Sequence, residues 1–377
     1  MGAGDPEGDA GEVVPAAWGD RRARLAERLA RRNLDAWLLV PGPDLTYLTG
    51  LQAEPSERVL VAAWSRDGAA WAVVPQFEAP RVRSALGPDV HVVGYRDETG
   101  PEPAMARAFA PFASRAAAFG ATFGAMRLLE RTAVEGAVPR ARWHPIDADC
   151  AALRQLKEPA ELQQIRRAAL IAGRAVAAGL RAAVPGATER DVEAACNAVL
   201  LAHRTSSPFP VAVASGPRAA DPHAGTSQRR LRAGEPCWID LGARCGGYCA
   251  DVTRTCVVPG LEPDPEVAAA LAAVRAAHAA ALAAVRPGAT AEAVDAAARE
   301  SIAAAGLGAY FPHRTGHGLG LAIHEAPFLV DGNAEPLQVG MVFTVEPGVY
   351  LPGRGGVRLE DDVAVTSGGP EVLTDGA

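Results

Sequence analysis

Two aspartates sit in apolar, strand-like stretches: Trp238-Ile239-Asp240-Leu241-Gly242-Ala243 and Gly247-Tyr248-Cys249-Ala250-Asp251-Val252-Thr253-Arg254-Thr255. The glycines between them predict a hairpin that sets the two carboxylates side by side. Close buried carboxylates repel, so one of them takes up a proton or a divalent cation lies between them. The bland alternative is two surface aspartates at strand ends. Three of the chain's eight histidines, His313, His317 and His324, fall in Phe311-Pro312-His313-Arg314-Thr315-Gly316-His317-Gly318-Leu319-Gly320 and the nearby His324-Glu325-Ala326-Pro327. Glycines flank His317, so backbone and ligand can approach closely there. Glu346 closes the Phe343-Thr344-Val345 run, where a carboxylate is poorly solvated. Arg358 and Glu360 alternate with apolar residues in Gly356-Val357-Arg358-Leu359-Glu360, which puts them on one face of a strand. By themselves those two could equally form a cross-strand ion pair. One imidazole and four carboxylates suit two hard or borderline divalent ions, with Mn²⁺ foremost and Co²⁺ or Zn²⁺ sharing the same donors. Two such ions ~3.5–4 Å apart can hold a hydroxide and clamp the attacking and leaving groups of a hydrolysis.

The elements that must position these residues fall in two blocks. The first alternates strand-like and helix-like segments. Arg21 to Arg32 reads as an amphipathic helix and Asp35 to Val40 as a buried strand stopped by Pro41-Gly42-Pro43. Arg58 to Ser65 and Ala69 to Pro75 flank Arg66-Asp67-Gly68, a hairpin signal, and Val90 to Tyr95 and Ala116 to Phe119 are further strands. This predicts an α/β domain with a mixed sheet. From Cys150 the texture changes. Glu158-Pro159 opens a long helix to about Val184, and Thr188 caps a second, with Asp191 at the capping-box position. The run 185–195, Pro-Gly-Ala-Thr-Glu-Arg-Asp-Val-Glu-Ala-Ala, returns at 287–297 as Pro-Gly-Ala-Thr-Ala-Glu-Ala-Val-Asp-Ala-Ala, each time after an Ala-rich helix. An internal duplication is the reading: two halves of helix pair plus strands, with a site between them. The expected division is a disordered tail over 1–15, an N-terminal domain over 16–150 and a catalytic domain over 151–377.

Composition narrows the function classes. The chain has 377 residues, 37 basic and 44 acidic, for a formal net charge of −7, which argues against non-specific nucleic-acid binding. Apolar residues make up 49%, enough for packed cores. The apolar stretch Val267 to Val285 contains Arg275 and His278, so no membrane span is expected. The first residues lack the basic-then-apolar pattern of a signal peptide, which leads to a cytoplasmic expectation. The cysteines at 150, 196, 237, 245, 249 and 256 form no C-x2-C pair and read as ordinary thiols. Gly120-x3-Gly124 is not followed by Gly-Lys-Ser/Thr, so no P-loop is expected.

The order of these motifs over about 150–370 resembles the pita-bread metallopeptidases: proline dipeptidase, aminopeptidase P and, further off, methionine aminopeptidase. The first block, with Pro43-x-Leu45-x-Tyr47-Leu48-Thr49-Gly50, resembles the creatinase-type N-terminal domain of the proline-specific branch. The resemblance implies an α+β pita-bread catalytic domain with a pseudo-twofold duplication. It implies Asp240, Asp251, His317, Glu346 and Glu360 as ligands of two metal ions. Asp251 and Glu360 would bridge, Asp240 would hold one ion, and His317 with Glu346 the other. Glu346 would also shuttle the proton. His223, in Ser215-Gly216-Pro217…Asp221-Pro222-His223, would line the substrate pocket with His313 and His324, and His324 would stabilise the tetrahedral intermediate. Arg358 and Thr253 would support the ligands from outside. The implied substrate is a peptide with proline second, and relatives of this kind are often homodimers. In several proline dipeptidases an Arg after the His-Glu-x-Pro segment pairs with the dipeptide's carboxylate. Here Phe328 stands there. That favours aminopeptidase P activity on longer peptides over dipeptidase activity, unless Arg218 or Arg314 reaches the same carboxylate. Three other readings are a creatinase-like metal-free enzyme, a metal-dependent hydrolase or lyase of a small metabolite, and a non-catalytic peptide-binding module.

Overall fold

Short runs of Val, Leu, Trp and Ala set the strands of the N-terminal half, and proline or glycine at their ends stops them. The computed structural model describes residues 15–374. The expected disordered tail lies almost wholly outside the described residues. The chain forms two compact units, Met1–Arg154 and Gln155–Ala377.

In the first unit, α1 (Pro15–Leu29) leads to β1 (Ala36–Leu39), α2 (Pro43–Thr49), β2 (Val61–Ser65) and β3 (Ala70–Pro75). Then come α3 (Ala79–Leu86), β4 (Val90–Tyr95), α4 (Glu102–Ala108), β5 (Ala118–Ala121), α5 (Leu128–Ala137), β6 (Arg142–Pro145) and α6 (Asp147–Arg154). The six strands form one sheet in the order β4-β3-β2-β1-β5-β6. It is mixed, as expected: β1 pairs antiparallel with β2 and parallel with β5. The β2–β3 hairpin forms where Arg66-Asp67-Gly68 places it. Its core gathers Leu38, Val61, Val73, Met105, Phe109 and Phe119. The Pro41-Gly42-Pro43 stop ends β1, and Pro43, at the first turn of α2, also opens a helix whose N–H it does not need to supply.

The second unit carries the repeat. Its first half is α7 (Pro159–Ala182), α8 (Glu189–Ala202), β7 (Ala212–Ser215), β8 (Pro236–Cys245) and β9 (Tyr248–Val257). Its second half opens with α9 (Pro265–Ala284), α10 (Ala291–Ala304), β10 (Gly316–Gly318) and β11 (Glu325–Leu329). It continues through β12 (Val342–Val345), β13 (Gly348–Leu351), β14 (Gly355–Arg358), β15 (Asp361–Thr366) and β16 (Gly369–Val372). The duplication extends to single hydrogen bonds. Thr188 caps α8 and Thr290 caps α10. Gly186 N–H bonds Leu231 O at 2.9 Å, and Gly288 N–H bonds Leu337 O at 2.8 Å. Leu231 N–H returns to Ala187 O at 2.8 Å, and Leu337 N–H to Ala289 O at 2.7 Å. Both turn glycines hold positive φ, 88° and 85°, a conformation with no steric cost only for glycine.

Each half has its own core. Val176, Val192, Cys196, Ile239, Leu241 and Val252 close the first. Val274, Val294, Ile302, Phe343, Val349 and Val363 close the second. The helices present alanine-rich faces to the strands, as in α7 with buried Ala168, Ala169, Ala172 and Ala175. The α9 helix is long and apolar enough to cross a bilayer by composition, but its Val267, Ala270, Val274, Ala277 and Ala281 are buried in this unit.

Candidate active site

The β8–β9 hairpin positions the two aspartates by register. Asp240 pairs with Thr253, and Gly242 with Asp251, so the aspartates share one face two positions apart. The other face carries Ile239, Leu241, Ala243, Ala250 and Val252 into the core under α7 and α8. A one-residue slip would bury both carboxylates in that core. Gly242 is required at the crossing: a Cβ there would lie 2.2 Å from Ala250 O.

Glu360 reaches the same face from the second half. Its N–H bonds Thr253 O at 3.1 Å, and the Thr253 hydroxyl donates to Glu360 Oε2 at 2.6 Å. Their alternation predicts one continuous strand carrying Arg358 and Glu360, and the structure corrects this. The β14 strand ends at Arg358, and Glu360 makes an isolated bridge before β15 begins. Asp362 sits behind, its carboxylate accepting Asp251 N–H at 3.1 Å.

His317 comes from β10. A Cβ on Gly316 would meet Thr344 O at 1.9 Å and one on Gly318 would meet Ala326 O at 2.2 Å, so the flanking glycines let neighbouring strands close on the histidine. His317 Nδ1 lies 3.1 Å from Gly318 O, a carbonyl that can only accept, so Nδ1 carries the proton. Nε2, with its lone pair, then faces Asp251 Oδ2 at 3.8 Å and Glu346 Oε1 at 3.4 Å. Burial, together with the neighbouring His324, pushes the imidazole down to about 3 and keeps it neutral.

A lone pair aimed at carboxylates is repulsive unless a proton or a cation lies between. Ligand atoms of Asp251, His317 and Glu360 all fall within 4.8 Å of one another, and all three residues are buried. Burial, then the crowding of Glu360 and Asp240, raises the Asp251 carboxyl well above the usual range. Burial, then Glu346 and Asp240, does the same to Glu360. Glu346 is pushed up to about 7, chiefly by burial. Asp240 Oδ1 and Asp251 Oδ1 are buried with no hydrogen-bond partner among the described residues. Oxygen-rich donors with one neutral imidazole and two orphaned oxygens fit divalent cations. The six cysteines are free thiols, none in this cluster.

Arg358 and Thr253 brace the donors. The buried Arg358 donates to Asp240 Oδ2 at 2.6 Å, Thr253 Oγ1 at 3.1 Å and Tyr350 Oη at 2.8 Å, and its guanidinium lies 4.8 Å over Trp238. With that lone pair occupied, the Tyr350 hydroxyl donates to His313 Nε2 at 2.9 Å. His313 Nδ1 then donates to Arg314 O at 2.8 Å. Both His313 nitrogens are thus engaged with the protein, and burial pushes its imidazole down to about 4. Tyr350 escaped the sequence reading. The only signal for it is its alternation with Gly348 in a strand next to Glu346.

A cavity of about 480 Å³ opens on the cluster, lined by Phe209, His223, His313, Arg314, His324 and Arg358 beside the five donors. His324 packs edge-on against His317, ring centres 4.3 Å apart. Arg314 stacks 4.6 Å over the Phe328 ring, and its side chain makes no ion pair or hydrogen bond among the described residues. Arg218, the other expected carboxylate reader, is engaged by Glu189 and by Gly225 O, the latter at 2.6 Å.

Residues 163–367 match the model of metallopeptidase family M24, and residues 21–156 match the creatinase/prolidase N-terminal domain. The chain is 38% identical to the probable dipeptidase PepE of Mycobacterium tuberculosis, over 93% of this chain and 92% of that one. A recombinant prolidase from Thermococcus sibiricus superposes with a TM-score of 0.88 at 32% identity, covering 95% and 97% of the two chains. An X-Pro aminopeptidase from Thermotoga maritima follows at a TM-score of 0.79 and 27% identity, covering 93% and 96%. The buried donors on the β8–β9 face, the repeated halves and these likenesses agree: the chain is a metallopeptidase belonging to family M24.

Proposed function

We propose that the chain hydrolyses Xaa-Pro dipeptides with two divalent ions, Mn²⁺ foremost. The observation that carries this reading is Arg314. It is a guanidinium with no acidic partner among the described residues, lining the same cavity as the four carboxylates Asp240, Asp251, Glu346 and Glu360. Arg358, the other cation of the cavity, is already engaged by Asp240 and Tyr350. Arg314 is thus free to take the substrate's C-terminal carboxylate as a charge-assisted pair. The expectation of aminopeptidase P activity rested on Phe328 in place of a cation. Phe328 instead forms the platform on which Arg314 stacks. The names of the relatives, dipeptidase and prolidase, support the same reading.

Asp240, Asp251, His317, Glu346 and Glu360 would hold the two ions. The chemistry such ions would supply is activation of a water and polarisation of the scissile carbonyl. Glu346 would take the proton of the attacking water and pass it to the departing proline nitrogen. A carboxylate at the edge of the cluster can both take up and release that proton. His324, which packs against His317, would donate to the developing oxyanion, and His223 lines the same cavity. The imide nitrogen of an Xaa-Pro bond offers no N–H, so selection falls to ring shape and to the carboxylate.

The test compares proline release from Ala-Pro with hydrolysis of Ala-Pro-amide, using wild type and Arg314→Met. A lost charge-assisted hydrogen bond of about 1.5–3 kcal/mol raises KM for Ala-Pro about 10- to 150-fold. Hydrolysis of the amide should not change. If wild type cleaves Ala-Pro-Gly well and Ala-Pro poorly, the aminopeptidase reading replaces this one.

A further inference from the structure

Lys157 is the sole lysine among 37 basic side chains. It is also buried, with only 1% of its side chain exposed, and its ammonium lies 2.7 Å from Glu325 Oε1, itself buried. A pair so enclosed pays heavy desolvation, so it is weak as a source of stability. Its place in the fold gives it another role. Lys157 N–H is tied to Gly340 O at 2.8 Å, in the turn that leads into β12. Glu325 directly follows His324 and pairs with Gly318, beside His317. The loop 319–324 wraps this pair: a Cβ on Gly320 would lie 2.7 Å from Glu325 Oε1 and 3.2 Å from Lys157 Cε. The same loop is pinned to β9 by Cys249 N–H on Gly320 O at 2.7 Å.

We infer that the Lys157–Glu325 pair positions His324: it fixes the backbone at residue 325 so that the His324 ring stays against His317 and faces the cavity. Neither residue lines the cavity, and neither touches substrate; both act through the loop. A lysine suits the task because a compact ammonium meets one carboxylate in a narrow space, where a planar guanidinium demands a wider fork of acceptors. In a chain that uses arginine at every other basic position, this enclosure is the physical reason for the exception. The inference rests on the peptidase reading for its kinetic consequence and on geometry alone for its structural one.

The experiment uses the full-length, Mn²⁺-loaded protein as wild type, Lys157→Met, Glu325→Gln and the double variant. Misplacing a catalytic group by about 1 Å costs on the order of 100-fold, so kcat on Ala-Pro should fall by that order in Lys157→Met, with bound metal and KM little changed. Glu325→Gln keeps an oxygen for the ammonium and should lose only a few-fold. The double variant, which removes the stranded charge, should recover most of the loss. Hydrogen exchange should quicken at 319–326 in Lys157→Met and stay unchanged in β8 and β9. A lower Tm with unchanged kcat, or lost activity with unchanged exchange at 319–326, overturns the inference. If wild type releases no proline, the dipeptidase reading fails, and the exchange experiment still decides whether the pair holds the loop.

Discussion

Removing the divalent ions should invert the pH dependence of stability. In the metal-free site, Glu346 binds its proton up to about 7, against an ordinary 4.5. Its folded-state affinity is thus raised. Between pH 4.5 and 7 the unfolded chain has released a proton that the folded chain still holds, so stability falls as pH rises through that window. The full loss from Glu346 is about 3 kcal/mol. Asp251 and Glu360 are raised by burial and by their neighbouring carboxylates and add to it. For a unit the size of Gln155–Ala377, about 3 kcal/mol lowers Tm by roughly 6–12 °C. The assay is calorimetry of chelator-treated protein at pH 5 and pH 7.5, beside the Mn²⁺-loaded protein. The loaded protein should not show the fall, because the ions displace the protons and bind more tightly as pH rises. A metal-free Tm that is flat or climbs between the two pH values refutes the burial of these carboxylates without a cation.

Two substitutions probe the supporting shell. Thr253→Val removes the hydroxyl that donates to Glu360 Oε2 and accepts from Arg358 Nε; Mn²⁺ should bind about 10- to 100-fold more weakly by isothermal titration, with the fold retained by circular dichroism. Tyr350→Phe breaks the link from Arg358 to His313; the loss of about 1.5 kcal/mol should lower kcat/KM on Ala-Pro about tenfold while metal stoichiometry stays at the wild-type value.

Local chemistry made much of this legible in the sequence. The two Pro-Gly-Ala-Thr turns, 185–188 and 287–290, announced the repeat because glycine and a capping threonine impose one geometry wherever they occur together. Asp240 and Asp251 announced a shared hairpin face because alternation along a strand is rigidly of period two. What stayed hidden depends on contacts far apart in sequence. Nothing near Tyr350 indicates that Arg358 and His313 will flank its hydroxyl. Phe328 read as a missing cation because its partner, Arg314, belongs to the segment before β10 and meets it only in the folded chain. Lys157 and Glu325 lie 168 residues apart in sequence and meet only in the folded chain. Glu360 left the expected strand because the chain breaks β14 at Arg358 to cross onto Thr253.

The division of the donors between the repeated halves has a consequence for the life of the molecule. Asp240 and Asp251 belong to the first half, and His317, Glu346 and Glu360 to the second. A chain emerging from the ribosome has the full set only when its last strands are made, so ions held by all five would enter after both halves have closed. Once seated, they would link segments that are distant along the backbone, and opening either half would require breaking bonds to an ion first. Metal loading should therefore act as a latch against proteolysis, measured as a slower rate of cleavage and not only as a higher melting point.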